Sequence, residues 1–342
     1  MPVLPLLAQP DRYRPCTADL LADRVARDYW LNVFQTHFEI QLEAAVHTGT
    51  EQTAVERARQ SLRHALNDLR DRPDHHGRLD ILLLDELRQR ALAAGGITDE
   101  FRDVKHRANE AALTALPRRL GELDALHGRD LIEALACGLL AGNLFDMGAK
   151  AAVERLAARH ASFDEALALL PPRPWLRDDL DPFADWLVVR SAARAVILVD
   201  NAGPDIVLGV LPFTRFLIRA GADVILAAND TPSLNDVTAA ELESLLDRAR
   251  SIDAVFASPR LTVIASGCRA PLIDLAAISP ALADVAADAD FLVLIGMGRA
   301  VESNWSADFT CPCLRIATLK DPHVAAGLGG RLFDAVVRFD RP

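Results

Sequence analysis

Val196-Ile197-Leu198-Val199-Asp200-Asn201-Ala202-Gly203 is an apolar run of strand length that stops at a carboxylate and a carboxamide. A second apolar run, Val224 to Ala228, is followed shortly by Ser233-Leu234-Asn235-Asp236-Val237-Thr238. Two adjacent parallel strands of this kind deliver Asp200, Asn201 and Asp236 to one edge of a sheet. Three oxygen donors so arranged suit a hard divalent cation, with coordination positions left over for water and a phosphate.

The same rhythm extends through the second half of the chain. Aliphatic runs of strand length lie at 194–199, 223–228, 261–265, 291–295 and 314–319, and mostly helical segments separate the first four. Alternation at this spacing predicts an α/β fold, a three-layer α/β/α sandwich with a mostly parallel sheet. A last run, Leu332 to Phe339, reads as an edge strand. Upstream the pattern is helical: Leu20, Leu21, Val25, Tyr29, Leu31 and Phe34 recur at roughly helical spacing. Further helices are predicted over 51–71, 78–94, 98–126 and 129–159. The character changes around Leu170-Pro171-Pro172-Arg173-Pro174. The expected division is therefore an all-helical N-terminal region, residues 1–170, and an α/β/α domain, residues 171–342.

The strand endings are polar or rich in glycine. In open parallel sheets, ligands bind beyond the carboxyl ends of the strands. Asp200-Asn201 ends the first strand, Asn229-Asp230 the second, with Asn235-Asp236 close behind. Asn229 and Asn235 are candidates for touching a substrate or for supporting the cation's ligands. Gly296-Met297-Gly298-Arg299-Ala300-Val301-Glu302-Ser303-Asn304 comes after another buried strand and opens a helix in the predicted scheme. Glycines there let backbone N–H groups approach an anion, and Arg299 can pair with a phosphate in bidentate fashion; an ordinary tight turn uses the same residues. Asn304 closes that segment as a further polar candidate. Lys320 comes directly after the run 314–319 and belongs to the same edge. Asn143 and Asp146, three apart inside an otherwise apolar helical stretch, share a face. They either reach the site or tie helices together.

The chain has 342 residues, is 51% hydrophobic and 25% charged, and carries a net charge of -11. That is a globular composition. The acidic balance, with no basic run, argues against nucleic acid or an anionic membrane as partner, since both are bound by clustered Lys and Arg. A phosphorylated metabolite remains compatible if a metal supplies the positive charge locally. Five scattered cysteines, Cys16, Cys137, Cys268, Cys311 and Cys313, fit a reducing compartment. The first ten residues are apolar but lack a basic stretch and contain three prolines, so no signal peptide is expected. No apolar run is long enough to cross a bilayer. A cytoplasmic location is expected, and the oligomeric state is left open.

Three look-alikes fail. Asp200-Asn201-Ala202-Gly203 is similar to a segment of the short-chain dehydrogenases, but the only tyrosines, Tyr13 and Tyr29, lie upstream of it. Haloacid-dehalogenase phosphatases place an acid two residues after the strand-end Asp, where this chain has Ala202. Cys311-Pro312-Cys313 has no second cysteine pair to complete a zinc site. His75-His76 reads as a solvated loop, and Ser266-Gly267-Cys268 as a turn.

Six stretches together resemble the metal-dependent damage-control phosphatases, once called domain of unknown function 89. They are Ala141-Gly-Asn-Leu-Phe-Asp-Met-Gly-Ala-Lys150, Arg173-Pro-Trp-Leu176, Asp200-Asn-Ala-Gly-Pro-Asp-Ile-Val-Leu-Gly-Val-Leu-Pro-Phe213, Asn235-Asp-Val-Thr238, Gly296-Met-Gly-Arg-Ala-Val301 and Leu328-Gly-Gly-Arg-Leu332. They run in family order from roughly residue 100 to the end. The likeness is greatest to the branch that stands alone in plants and is fused to the C-terminus of some pantothenate kinases. The resemblance implies one divalent metal ion (Mg, Mn, Co or Ni) on Asp200, Asn201 and Asp236. It also implies hydrolysis of phosphate monoesters, with 4'-phosphopantetheine or its oxidised, damaged forms as the expected substrate. With no kinase domain ahead of residue 1, a stand-alone phosphatase is expected. Two positions depart from the branch: Ile295 stands where a Glu precedes Gly-Met-Gly-Arg, and Cys268 stands where a polar residue comes after Ser-Gly.

On this reading Asp200, Asp236 and Arg299 carry the catalysis. Gly296, Met297, Gly298, Arg299 and Lys320 hold the phosphate, joined by Asn143, Asp146, Asn229, Asn235 and Asn304 around the substrate. Either the Asp200 carboxylate or an activated water is the nucleophile. A sugar-phosphate phosphatase of the same family and a non-catalytic metabolite-binding module are the competing expectations.

Overall fold

Alternate residues of the central strands feed two separate cores. In β2 (Arg194–Leu198), Ala195 and Ile197 face one side of the sheet while Val196 and Leu198 face the other. In β5 (Phe291–Ile295), Phe291, Val293 and Ile295 divide in the same way from Leu292 and Leu294. Strands buried on both faces read as continuous aliphatic runs, which is why the sequence announced them. The computed structural model describes residues 1–15, 18–145, 162–189 and 193–342.

The seven-stranded sheet has the order β1-β7-β6-β5-β2-β3-β4. β3 is Asp223–Ala228, β4 Leu261–Ala265 and β6 Cys313–Thr318. β2 to β6 pair in parallel wherever they are neighbours. The chain leaves β2 towards β3 and β4, then returns to place β5 on the other side of β2. The crevice between β2 and β5 is thus a topological switch point, where open α/β sheets bind their ligands.

β7 (Ala335–Asp340) realises the run expected at 332–339, but it is antiparallel to β6 and it is not the edge. The 319–334 connection returns to the sheet end that it left, so the strand must run backwards. The edge belongs to β1 (Arg177–Asp178), two polar residues with no aliphatic signal, which pair in parallel with β7.

The helices ahead of the sheet include α1 (Arg24–His47), α2 (Gln52–Asp71), α3 (Ile81–Gly95), α4 (Arg102–Asp124) and α5 (Gly128–Gly142). Asp23 and Asp80 start α1 and α3 by accepting the backbone N–H groups of Ala26 and Leu83, at 2.9 and 2.8 Å. In α2 the buried Val55, Ala58, Leu62, Leu66 and Leu69 trace one face at helical spacing.

Packing divides these helices between α3 and α4 and not at residue 170. α1 to α3 enclose a core of their own, joined by Leu272. Leu113, Leu116 and Leu120 of α4, and Leu135, Leu139 and Leu140 of α5, share the core of the sheet with Ile197, Val293 and Leu314. The expected boundary runs through that shared core, because α4 and α5 bury their apolar faces on the sheet. The helix expected over 129–159 ends at Gly142 among the described residues, and 146–161 lie outside them. The N-terminal segment is also drawn in: Leu4, Leu6, Leu7 and Tyr13 pack on the opposite face of the sheet. Among the described residues, no helix is long and apolar enough to cross a membrane.

Candidate active site at the carboxyl edge of the sheet

Asp200 sits two residues beyond β2, where the backbone is pinned to the loop after β3. Val237 N–H donates to Asp200 O at 3.0 Å, Ala202 N–H donates to Asn235 O at 2.8 Å, and Asn201 and Asp236 form an isolated antiparallel bridge. These bonds fix the spacing of the two acidic residues by main chain alone.

The side chains then converge. Asp200 Oδ2 accepts from Asn143 Nδ2 at 2.8 Å and Asn201 Nδ2 at 2.9 Å. Arg299 lies between the two acids. Its Nη1 donates to Asp200 Oδ1, and its Nη2 donates to Asp236 Oδ2 at 2.8 Å and to Asn229 Oδ1 at 2.9 Å. Asn229 Nδ2 also donates to Asp236 Oδ2, at 2.9 Å. All these residues are buried. Burial acts to lower the Arg299 pKa, but the Asp236 and Asp200 carboxylates outweigh it, so the guanidinium is held charged more firmly than usual.

Two glycines make the convergence possible. Gly296 comes directly after β5 with φ +95°, and a Cβ there would collide with the Asp200 carboxylate. Gly142 ends α5 so close to the neighbouring helix that a Cβ would lie 2.7 Å from Asp205 Cα. That approach brings Asn143 to Asp200. Asn143 also accepts Thr318 N–H on its side chain at 3.2 Å, and its carbonyl accepts Lys320 Nζ at 2.7 Å. Lys320 therefore stands at the C-terminus of α5, where a cation is favoured by the helix dipole.

Sequence reading did not single out Asp205. It lies five residues after Asp200 in an apolar turn, and that misplaced carboxylate was the available signal. Asp205 is fully buried, and its Oδ2 accepts Asn201 N–H at 3.2 Å and Asn201 Nδ2 at 3.0 Å. Burial first, and Asp200 next, push its carboxyl well above the usual carboxylate range. Asp205 thus orients the Asn201 side chain.

A cavity of about 530 Å³ opens on this cluster. Its floor includes Asp200, Asp236, Met297, Gly298 and Lys320, and its opposite wall comes from α1 and α3. Those two helices answer which part of the helical region covers the site. Trp30, Val33, Phe34, Ile81, Leu234 and Leu272 make much of that wall apolar.

The other expected residues fall differently. Asn235 lies beside the cluster, and its amide donates to Phe145 O at 2.8 Å. Asn304 is fully buried and does not border the cavity; its amide oxygen accepts from Tyr13 Oη at 2.8 Å, and its amide nitrogen donates to Ile273 O and Arg299 O. Arg299 does not border the cavity either, because its guanidinium is spent on the acids. The helix expected behind the glycines is short, a single π-helical turn, Met297–Glu302. Asp146 lies outside the described residues. Cys268 donates its thiol to Ala270 O and Leu272 O, and burial pushes that thiol up to about 11, which removes it as a nucleophile at neutral pH.

The floor fits a divalent cation. The charged residues bordering the cavity are Asp85, Asp200, Asp236, Glu302 and Asp321 against Arg88 and Lys320. A dianionic phosphate entering such a wall needs added positive charge. Asp200 and Asp236 border the cavity with hard carboxylate oxygens, while Asn201 is buried beside Asp200 and does not border it. Asp68, His75 and His76 form a separate group whose ligand-capable atoms lie within 4.8 Å of one another. That group is on the turn after α2, with both histidines exposed, and does not border the cavity.

A family described as the damage-control phosphatase ARMT1-like domain matches residues 33–336. A damage-control phosphatase of Arabidopsis thaliana is 38% identical over 320 residues, covering 91% of this chain and 87% of that protein. A 4'-phosphopantetheine phosphatase of Mus musculus is 32% identical, and pantothenate kinase 2 of Arabidopsis thaliana 36% identical. Each aligns with 99% of this chain, which spans 48% and 42% of their respective lengths. A crystal structure of a DUF89 family protein from Pyrococcus horikoshii shares the fold, with a TM-score of 0.62 at 18% identity over 90% of this chain and 96% of that one. This chain belongs to the damage-control phosphatase ARMT1-like family.

Proposed function

We propose that this protein hydrolyses 4'-phosphopantetheine or its oxidised forms to orthophosphate and the free alcohol. The observation that carries the reading is a cavity with two chemistries, an acidic floor with one lysine and a largely aromatic and aliphatic wall. A volume of about 530 Å³ falls in the usual range for small-molecule sites. The wall suits a body with methyl groups and few polar atoms. A hexose phosphate carries a hydroxyl on nearly every carbon, and the side chains of Val33, Phe34, Ile81, Leu234 and Leu272 offer those hydroxyls no hydrogen-bond partner. The likeness to the mouse 4'-phosphopantetheine phosphatase supports the same choice.

Asp200, Asn201 and Asp236 would hold one divalent cation, which when bound supplies charge stabilisation at a phosphoryl oxygen. Arg299 separates and fixes the two acids, so that neither is left as an unpaired buried charge. Lys320 offers its ammonium from the cavity wall to a second phosphoryl oxygen. Asn143 orients Asp200 and Asp205 orients Asn201. Water attacks phosphorus; the new P–O bond forms as the ester P–O bond breaks, and the alcohol leaves with a proton. Both oxygens of Asp200 already accept N–H donors, which favours water over that carboxylate as nucleophile.

Phosphate release from 4'-phosphopantetheine, its oxidised forms and a set of hexose phosphates, with Mn, Co, Ni or Mg added and then chelated, tests the assignment. Metal-dependent release favouring the pantetheine esters by tenfold or more in kcat/KM is expected. Preference for hexose phosphates would replace the substrate, and tight binding without release would replace the enzyme with a binding module.

A further inference from the structure

Three residues of the helical wall carry hydrogen-bonding atoms that are not taken up. Trp30 of α1 and Asp85 and Arg88 of α3 border the cavity and are 6%, 2% and 4% exposed. Trp30 Nε1, Asp85 Oδ2 and Arg88 Nε are sealed from solvent and have no hydrogen-bond partner among the described residues. Arg88 Nη2 lies 2.5 Å from Asp85 Oδ1, and its guanidinium sits over the Phe34 ring, 5.1 Å from the centroid. The stacking and the ion pair leave Nε unspent.

A buried ion pair is a poor way to stabilise an apolar wall, since hydrophobic residues of similar size do at least as well. Buried polar atoms without partners are costly and uncommon. Three of them belong to residues that border one cavity, which makes a ligand in that cavity a candidate partner. An unspent donor and an unspent acceptor on the ion-paired Arg88 and Asp85 match an amide, which presents a carbonyl oxygen and an N–H in one plane.

We propose that Asp85 and Arg88 form a subsite that reads an amide in the body of the substrate. Arg88 Nε–H donates to the amide oxygen and Asp85 Oδ2 accepts the amide N–H, with the Trp30 indole N–H as a further donor. Small turns of these side chains towards the cavity, completed by the ligand, satisfy all three. This assignment rests on the pantetheine-like body proposed above, and it deepens that reading by naming which residues select it. An analogue without the amide leaves the pair unsatisfied, which is how a buried polar site rejects a near-isostere.

The experiment uses pantetheine, which lacks the phosphate, as a competitive inhibitor of p-nitrophenyl phosphate hydrolysis by the metal-loaded protein. Arg88→Met and Asp85→Leu are expected to raise its Ki at least tenfold. Asp85→Asn, which keeps an acceptor oxygen, should raise it less than Asp85→Leu. With 4'-phosphopantetheine as substrate the loss should appear mainly in KM, and the ratio of its kcat/KM to that for p-nitrophenyl phosphate should fall tenfold. If either single variant fails to melt cooperatively, the double variant Asp85→Leu/Arg88→Met, which leaves no lone buried charge, carries the measurement. A Ki within twofold of wild type in folded variants, or no inhibition of the wild type at millimolar pantetheine, overturns the subsite. A wild type that releases no phosphate from 4'-phosphopantetheine, yet loses pantetheine inhibition in these variants, overturns the substrate and keeps the subsite.

Discussion

Asp200 is gripped from three directions: Asn143 at the end of α5, Asn201 beside it, and Arg299 after β5. Removing Asp200 or Asp236 should cost the phosphatase at least about 10³-fold in kcat, because several kcal/mol of charge stabilisation would go with a cation held there. Circular dichroism of Asp236→Ala should stay native-like, and retained turnover in that variant would remove the ligand assignment. Asn143→Ala, which removes one of the two donors to Asp200 Oδ2 and the acceptor of the Thr318 N–H, should lose roughly 10- to 100-fold in activity, as supporting residues of metal sites do. Unchanged turnover and affinity would return Asn143 to a purely structural role. The acids and Arg299 were legible because they sit at or just beyond strand ends. Asn143 was visible only as a polar residue in an apolar helix, and its partner could not be named without the fold. Asp85 and Arg88 were hidden because charged residues on a helix are usually solvated, and nothing local marks the buried face of α3.

The elements read unevenly, for physical reasons. β2, β3, β5 and β6 were legible since strands buried on both faces read as largely aliphatic runs, and β4, a partly exposed edge strand, was legible from its run Leu261-Thr-Val-Ile-Ala265. β1 was not, as two polar residues join a sheet through backbone bonds alone. The direction of β7 depends on where its connection returns, a tertiary matter. α3 offers a test at this scale. Burial, only partly offset by Arg88 and reinforced by Asp80 and Glu86, pushes the Asp85 carboxyl from 3.8 to about 6. An acid with a raised native pKa holds its proton more tightly folded than unfolded. Its contribution to stability is therefore full below about pH 4 and is lost as pH rises through about 6. The shift corresponds to on the order of 3 kcal/mol. In Asp85→Asn, the change in urea-unfolding free energy between pH 4 and 6.5 should shrink by roughly that amount. An identical pH profile in the variant would mean that Asp85 titrates normally.

For the whole molecule, folding and cation binding are linked. Asp236 lies well along the chain from the adjacent Asp200 and Asn201, so the unfolded protein offers no comparable site. A cation at 100 times its Kd should add about 2.7 kcal/mol to unfolding. The melting temperature should rise with added Mn and fall back on chelation, and Asp236→Ala should lose the response. An equal rise in that variant would place the cation elsewhere, with the Asp68, His75 and His76 group as the first place to look. At the level of chemistry, single turnover in ¹⁸O-labelled water should put the label in phosphate; label recovered in the Asp200 carboxylate would make that residue the nucleophile.

The cover formed by α1 to α3 is packed around hydrophobic residues of its own, while the acids stand on the sheet. Changes in that cover can alter which molecules are admitted without disturbing the groups that break the bond. Relatives built this way are free to exchange clientele while inheriting one unaltered cutting edge.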